Sequence, residues 1–94
     1  MADVVKHTPG PWRVGPVDDT VVTDAAGNEV AAIDGDYNDP DTWQLMEANA
    51  RLIAAAPDLL AACRYAVEHM EWSTKAGQAA YETMAAAIAK AEGR

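Results

Sequence analysis

An aspartate-rich segment, DGDYNDPD, holds the densest group of potential ligands in the chain. Asp34, Asp36 and Asn38 place side-chain oxygens at alternating positions, as the start of a calcium-binding loop does. Such a loop also needs Gly at its sixth position and Glu at its twelfth, where this chain has Asp39 and Leu45. We therefore interpret the segment as a solvated acidic loop that caps the helix following it.

Histidine, cysteine and serine are too sparse to predict a metal centre or a catalytic set. His7 and His69 lie far apart in the sequence and match no metalloprotease spacing. Cys63 is the single cysteine, which excludes an internal disulfide and a zinc site built from cysteines. Ser73 lacks a G-x-S-x-G context, and the chain has no glycine-rich phosphate motif. We expect no enzyme activity, no bound metal and no cofactor.

Tryptophan and arginine are the remaining candidates for ligand binding. Trp12, Trp43 and Trp72 could each stack on a nucleobase or fill a core. Trp43 falls on an apolar helical stripe and is expected in the core, and packing is also the favoured role of Trp12, which precedes Arg13. Arg51 is either an ion-pair partner of the acidic loop or an anchor for an anion.

Composition limits the class of protein. The chain has 94 residues and a net charge of -8, and the whole net charge lies in residues 1–47. An acidic balance disfavours an extended nucleic-acid surface. No apolar run approaches the length of a membrane span and no signal peptide is visible, so we expect a cytoplasmic protein. Because much of the apolar content is alanine, the core is small for the length, which favours a homo-oligomer.

The elements that would position these residues are three short strands. Trp12–Val14 follows a Pro-Gly-Pro segment and is expected to form an edge strand. Residues 20–23 and 29–33 are rich in Val and Ile and flank Gly27 and Asn28, which tolerate positive φ. The pattern predicts a hairpin and, with the edge strand, a β-meander.

Three helices are predicted after the acidic loop. The first covers residues 40–55, with Asp39 as N-cap and proline at its first position. The second covers residues 57–71, and the third covers 75–91 after a cap at Ser73 or Thr74.

Each predicted helix carries an apolar stripe at helical spacing. The first stripe consists of Trp43, Met46, Ala50 and Ile53, widened by Leu45 and Leu52. The second consists of Leu60, Cys63, Val67 and Met70. The third consists of Tyr81, Met84, Ile88 and Ala91. The last two helices are expected to form an antiparallel hairpin. The prediction is one small α+β domain over 1–94, with the meander and acidic loop in 1–38 and the helices in 39–94.

Two longer strings resemble a known group of proteins. Residues 7–12 read HTPGPW and residues 47–60 read EANARLIAAAPDLL, which resemble small phage and prophage accessory proteins of the "HTPGPW … ANARLIAAAPELL" type. Residues 24–31, DAAGNEVA, are similar to the hairpin of such proteins. The resemblance covers about residues 7–62 and implies a phage accessory product in the host cytoplasm.

The resemblance implies a protein that counters host defence, without a settled activity. The first hypothesis is a homo-oligomer that binds and sequesters a small cyclic nucleotide signal. The resemblance and the donor chemistry direct attention to Trp12, Arg13, Asn49 and Arg51 as its ligand-binding residues. Because the chain is acidic, such a pocket needs its few arginines, Arg64 included, gathered locally or across subunits.

The alternative is an acidic inhibitor that binds a host protein. In this hypothesis an acidic surface mimics a nucleic-acid backbone or docks on a basic partner. A merely solvated surface remains the competing interpretation. The acidic surface consists of Asp18, Asp19, Asp24, Asp34, Asp36, Asp39 and Asp41.

Overall fold

Three strands and then three helices make up the described part of the chain. The structure is a computed structural model and describes residues 7–93. Its elements are β1 (Arg13–Val14), β2 (Val21–Thr23), β3 (Glu29–Ala32), α1 (Pro40–Ala54), α2 (Ala56–His69) and α3 (Lys75–Ala91). The predicted α+β fold, with an N-terminal three-stranded antiparallel sheet followed by helices, is confirmed.

The described residues divide into two compact units, 7–57 and 58–93. The first unit contains the sheet and α1, which packs against β1 and β2. The second contains α3 and all of α2 except its first two residues. The sequence-based division between residues 38 and 39 falls near the start of α1, whereas α1 belongs with the sheet because its apolar face packs on the strands.

The sheet is a meander with the strand order β1-β2-β3. Val14 pairs with Val22, and Val22 pairs with Ala31, both in antiparallel register. The register shifts between Val22 and Thr23, as at a β-bulge. All three strands are shorter than predicted, so Trp12 lies just outside β1.

The β2–β3 turn is organised by an aspartate and a glycine. The Asp24 carboxylate accepts hydrogen bonds from the backbone N–H groups of Ala26 (3.0 Å) and Asn28 (2.8 Å). Gly27 has a φ of +88°, a conformation that side-chain-bearing residues rarely adopt. The predicted hairpin is therefore present, and interactions among residues 24–28 stabilise its turn.

Helix α1 begins as predicted. The Asp39 carboxylate accepts from the Asp41 N–H at 3.1 Å and from the Thr42 hydroxyl at 2.9 Å, and Pro40 is the first helical residue. The helix ends at Ala54, and Ala55 alone separates it from α2.

The core of the first unit lies between α1 and the sheet. Val22, Met46 and Ala50 are almost completely buried. Leu45 and Leu52, predicted to widen the apolar stripe, are each 64% exposed, so that prediction was wrong. Leu45 precedes Met46 by one residue, which turns its side chain about 100° away from the packed face.

The second unit has little core. Helix α2 has no buried side chain, and in α3 only Ile88 is buried. Thr74 is the N-cap of α3, and its hydroxyl accepts from the Gly77 N–H at 3.0 Å. An ion pair between Arg64 and Glu92 joins α2 to the C-cap residue of α3. Cys63, a residue of the predicted apolar stripe of the second helix, is half-buried.

Candidate functional site

Four of the seven aspartates of the acidic surface accept hydrogen bonds from nearby backbone N–H groups. Asp18 accepts from the Thr20 N–H at 2.9 Å and from the Thr20 hydroxyl at 2.6 Å. The hydrogen bond from the Thr20 side chain, with that from its backbone, lowers the pKa of Asp18. Asp18 is therefore charged and fixed in direction near neutral pH.

Thr20 also connects the β1–β2 loop to the acidic loop. Its side chain is fully buried, and its Oγ1 lies 3.2 Å from the Tyr37 hydroxyl. Because the Thr20 hydroxyl donates to Asp18, Tyr37 is the donor in this second hydrogen bond. The Tyr37 ring packs edge-on against Trp43 of α1, with 5.0 Å between ring centroids. The acidic loop is thus attached to both the β1–β2 loop and α1.

Other aspartates of this surface also accept hydrogen bonds from nearby backbone N–H groups. A backbone hydrogen bond from Asn28 is the main cause of a lowered pKa at Asp24. Asp36 accepts from the Asn38 N–H at 2.9 Å, and Asp39 caps α1. Gly35 lies so close to Met46 that a Cβ would stand 2.6 Å from its sulfur. The acidic loop therefore lies directly over the core of the first unit.

Asp19 and Glu47 form the one pair of interacting carboxyl groups that raises a pKa among the described residues. A hydrogen bond with the Asp19 side chain, followed by desolvation and repulsion by the Asp19 charge, raises the pKa of Glu47. Attraction by Arg51 and a hydrogen bond from Trp43 act in the opposite direction. Arg51 thus interacts electrostatically with an acid of its own helix, and its predicted ion pair with the acidic loop stays a prediction.

Trp12 and Arg13 lie beside each other at the sheet edge. The Trp12 indole Nε1 donates to the carbonyl of Thr8 at 3.0 Å, and the His7 ring meets the indole edge-on at 5.8 Å. Trp12 is half-buried and Arg13 is exposed. The indole N–H is therefore occupied by backbone, whereas the Arg13 guanidinium forms no ion pair among residues 7–93.

Asn49 and Arg51 are both exposed on α1 but do not share a face. Two residues along a helix turn a side chain by roughly 200°. One small ligand on a single subunit cannot contact both side chains on one surface. Trp12 and Arg13 are neighbours in the chain, whereas Asn49 and Arg51 point to different sides of α1.

Metal-ligating residues are also scattered in the described part of the chain. No group of three or more His, Cys, Asp or Glu side chains within residues 7–93 could hold a metal ion. Asp36, at the third position of the calcium-loop pattern, instead accepts a hydrogen bond from the backbone N–H of Asn38.

Comparison with protein families identifies the family of this chain. The family model described as "Salmonella phage P22 protein Y8K6" matches residues 1–94. The chain belongs to the P22 Y8K6 family. It is a small phage protein, and the description of the family names no activity. The comparison with curated proteins found no match, and neither did the comparison with solved structures.

No helix among residues 7–93 of this Y8K6-family protein is long and apolar enough to cross a membrane. The exposed residues of each unit are therefore the basis for proposing what this protein binds.

The second unit contains a feature that the sequence reasoning missed. The rings of Trp72 and Tyr81 stack with centroids 4.9 Å apart and planes at 14°. Gly77 permits the turn between them, because a Cβ there would stand 2.8 Å from the Glu71 carbonyl oxygen. The sequence indicates Trp72 only as a single aromatic residue. Helical spacing does not predict that Tyr81, nine positions later, stacks on it.

Proposed function

We propose that this phage protein is a non-enzymatic counter-defence protein that works in the host cytoplasm by docking its acidic surface on a basic host protein. The observation that carries the proposal is the local fixing of Asp18, Asp24, Asp36 and Asp39 by neighbouring hydrogen-bond donors. Hydrogen bonds set the directions of these carboxylates before a partner arrives, and they lower the pKa of Asp18 and Asp24.

Two properties of the acidic surface favour binding: the fixed directions of its carboxylates and its excess of negative charge. Little side-chain entropy remains to be lost on association, which lowers the free-energy cost of binding. Residues 7–57 contain nine acids and two arginines, and this imbalance attracts a basic surface over a distance of about one Debye length, ~8 Å at physiological salt. The most suitable partner is a protein whose basic surface normally contacts a nucleic-acid backbone.

A second candidate is the sequestration of a small nucleotide signal. It is favoured by the exposed Arg13 side chain, which follows the half-buried Trp12 in the chain and offers a guanidinium for a phosphate. Because Asn49 and Arg51 face different directions, a pocket using all four residues needs a second subunit. The small core of the second unit supports such a homo-oligomer, since burying only Ile88 leaves most apolar area uncovered.

Capture from host lysate with charge-matched variants tests the first candidate. Asp34→Asn with Asp41→Asn removes two exposed charges from the acidic surface, and Glu68→Gln with Glu82→Gln removes two exposed charges from the second unit. We expect a protein captured at low salt that is released at high salt and lost in the first variant only. Equal capture by both variants contradicts docking through the acidic surface.

Native mass spectrometry of protein purified from infected cells tests the second candidate. An oligomer that retains a few hundred daltons of ligand supports sequestration. A ligand-free species, together with no heat on titration of cyclic dinucleotides and cyclic ADP-ribose isomers, contradicts it.

A further inference from the structure

An open groove lies beside the stacked Trp72 and Tyr81 rings in the second unit. It has a volume of about 350 Å³ and is lined by Met70, Glu71, Trp72 and Ser73. We call it the Trp72 groove. This volume is at the small end of the range for ligand sites, roughly 300–1,000 Å³, so the groove suits one side chain or a small planar group.

The Trp72 ring offers one uncovered face. Tyr81 stacks in parallel on one side of the indole, yet the residue is still 51% exposed and lines the groove. Because Tyr81 occupies one face of the indole, a ligand in the groove would stack on the opposite face. An indole face carries negative electrostatic potential and attracts cations more strongly than the other aromatic side chains do.

The charge of the lining selects the kind of ligand. Glu71 is the only charged residue of the four, and no basic side chain lines the groove. A phosphate-bearing ligand would face this carboxylate without a compensating cation. A guanidinium group instead can stack on the indole and direct its forked N–H donors to the carboxylate.

We propose that the Trp72 groove binds an arginine side chain of the partner protein, with the guanidinium stacked on Trp72 and hydrogen-bonded to Glu71. The existence of a basic partner rests on the proposed function, whereas the chemistry of the groove does not. A peptide titration therefore tests the groove separately from lysate capture.

The three indole N–H groups of the chain give three separate NMR signals, which report on three different places. Unlabelled Gly-Arg-Gly peptide is titrated into the ¹⁵N-labelled full-length protein, with Gly-Lys-Gly, Gly-Gly-Gly and AMP as matched probes. We expect a saturable shift of the Trp72 signal with the arginine peptide, a smaller one with the lysine peptide and none with Gly-Gly-Gly. The Trp12 and Trp43 signals stay in place.

Two variants connect the shift to the proposed contacts. Glu71→Gln weakens arginine-peptide binding by about twofold to fivefold, the range expected for an exposed ion pair. Glu68→Gln, an exposed acid on α2, leaves it unchanged. Trp72→Leu abolishes the shifts of the backbone amides of residues 71–73.

Several results overturn the proposal. One is a Trp72 signal that does not move at the highest peptide concentration. Another is an equal response to arginine and lysine peptides, or to Glu71→Gln and Glu68→Gln. A larger shift with AMP than with the arginine peptide would assign the groove to a nucleobase instead. In each case a salt-sensitive partner found in lysate still supports the proposed function.

Discussion

Gly10 lies against the ring of Pro57, so close that a Cβ on Gly10 would stand 2.9 Å from the Pro57 Cβ. Gly10 belongs to the HTPGPW string and Pro57 to the EANARLIAAAPDLL string. The two strings that resemble phage proteins therefore meet in the first unit. This contact gives a physical reason for glycine between the two prolines, since any side chain must displace a rigid ring.

Gly10→Ala is expected to destabilise the first unit by about 1–3 kcal/mol, the cost typical of overpacking. Chemical denaturation followed by circular dichroism measures the change. Pro57→Gly removes the Cβ that clashes, so the alanine should cost less in that background. An equal loss in both backgrounds would show that the Pro57 contact is not the cause.

Thr20 and Thr23 provide a matched pair of buried hydroxyls on β2 or next to it. Thr20→Val removes the hydroxyl that donates to Asp18 and accepts from Tyr37, while the backbone N–H of residue 20 still donates to Asp18, and we expect a loss of about 1–3 kcal/mol. Thr23 is 9% exposed and its Oγ1 has no partner, so Thr23→Val should be neutral or stabilising. Thermal unfolding compares the two variants, and an equal loss in both contradicts the assignment.

The lowered pKa of Asp18 predicts a pH dependence that Thr20→Val should reduce. A carboxyl whose folded pKa is below its unfolded value stabilises the fold above the unfolded pKa and loses that contribution as pH falls through the folded pKa. The unfolding free energy of the wild type should therefore decline on acidification more steeply than that of Thr20→Val. Parallel pH profiles would be inconsistent with a hydrogen bond from the Thr20 hydroxyl to Asp18.

The pKa of Glu47 is shifted in the opposite direction to that of Asp18. Its pKa in the fold is raised by Asp19, so its contribution to stability is fully present below the unfolded pKa and is lost as pH rises through the folded pKa. Glu47→Gln should therefore unfold at a higher temperature than the wild type at pH 7, with the difference shrinking on acidification. Asp19→Asn should act in the same direction. A variant less stable than the wild type at pH 7 would mean that the attraction by Arg51 outweighs this repulsion.

Gly27→Ala tests the turn between β2 and β3. Alanine at a φ of +88° is strained, and we expect a loss of about 1–2 kcal/mol, with a smaller loss for Gly27→Asn. No atom lies within 4 Å of a Cβ built on Gly27, so steric clash does not contribute. Equal stability of the alanine and asparagine variants would argue against a purely conformational cost.

Local signals explain most of the agreement between sequence and fold. Asp39 and Pro40 predicted the start of α1, and Gly27 with Asn28 predicted the hairpin, because capping and positive φ depend on neighbours only. The exposure of Leu45 and Leu52 was not foreseen, since an apolar residue beside a stripe can face solvent if no element covers it.

The candidate site was less predictable than the fold. Contacts between Asp19 and Glu47, or between Gly10 and Pro57, join residues far apart in the sequence, and no periodicity indicates them. The separation of Asn49 from Arg51 follows from helix geometry alone, whereas their exposure depends on which face of α1 meets the sheet.

Three aspartates of the β2–β3 turn and the acidic loop accept hydrogen bonds from donors no more than four residues away. Asp24 is paired with residues 26 and 28, Asp36 with residue 38, and Asp39 with residues 41 and 42. A substitution at one of them disturbs its own turn and leaves the others intact. The pattern of surface charge can therefore change one turn at a time during evolution, while the strand register and the packing of α1 are inherited unchanged.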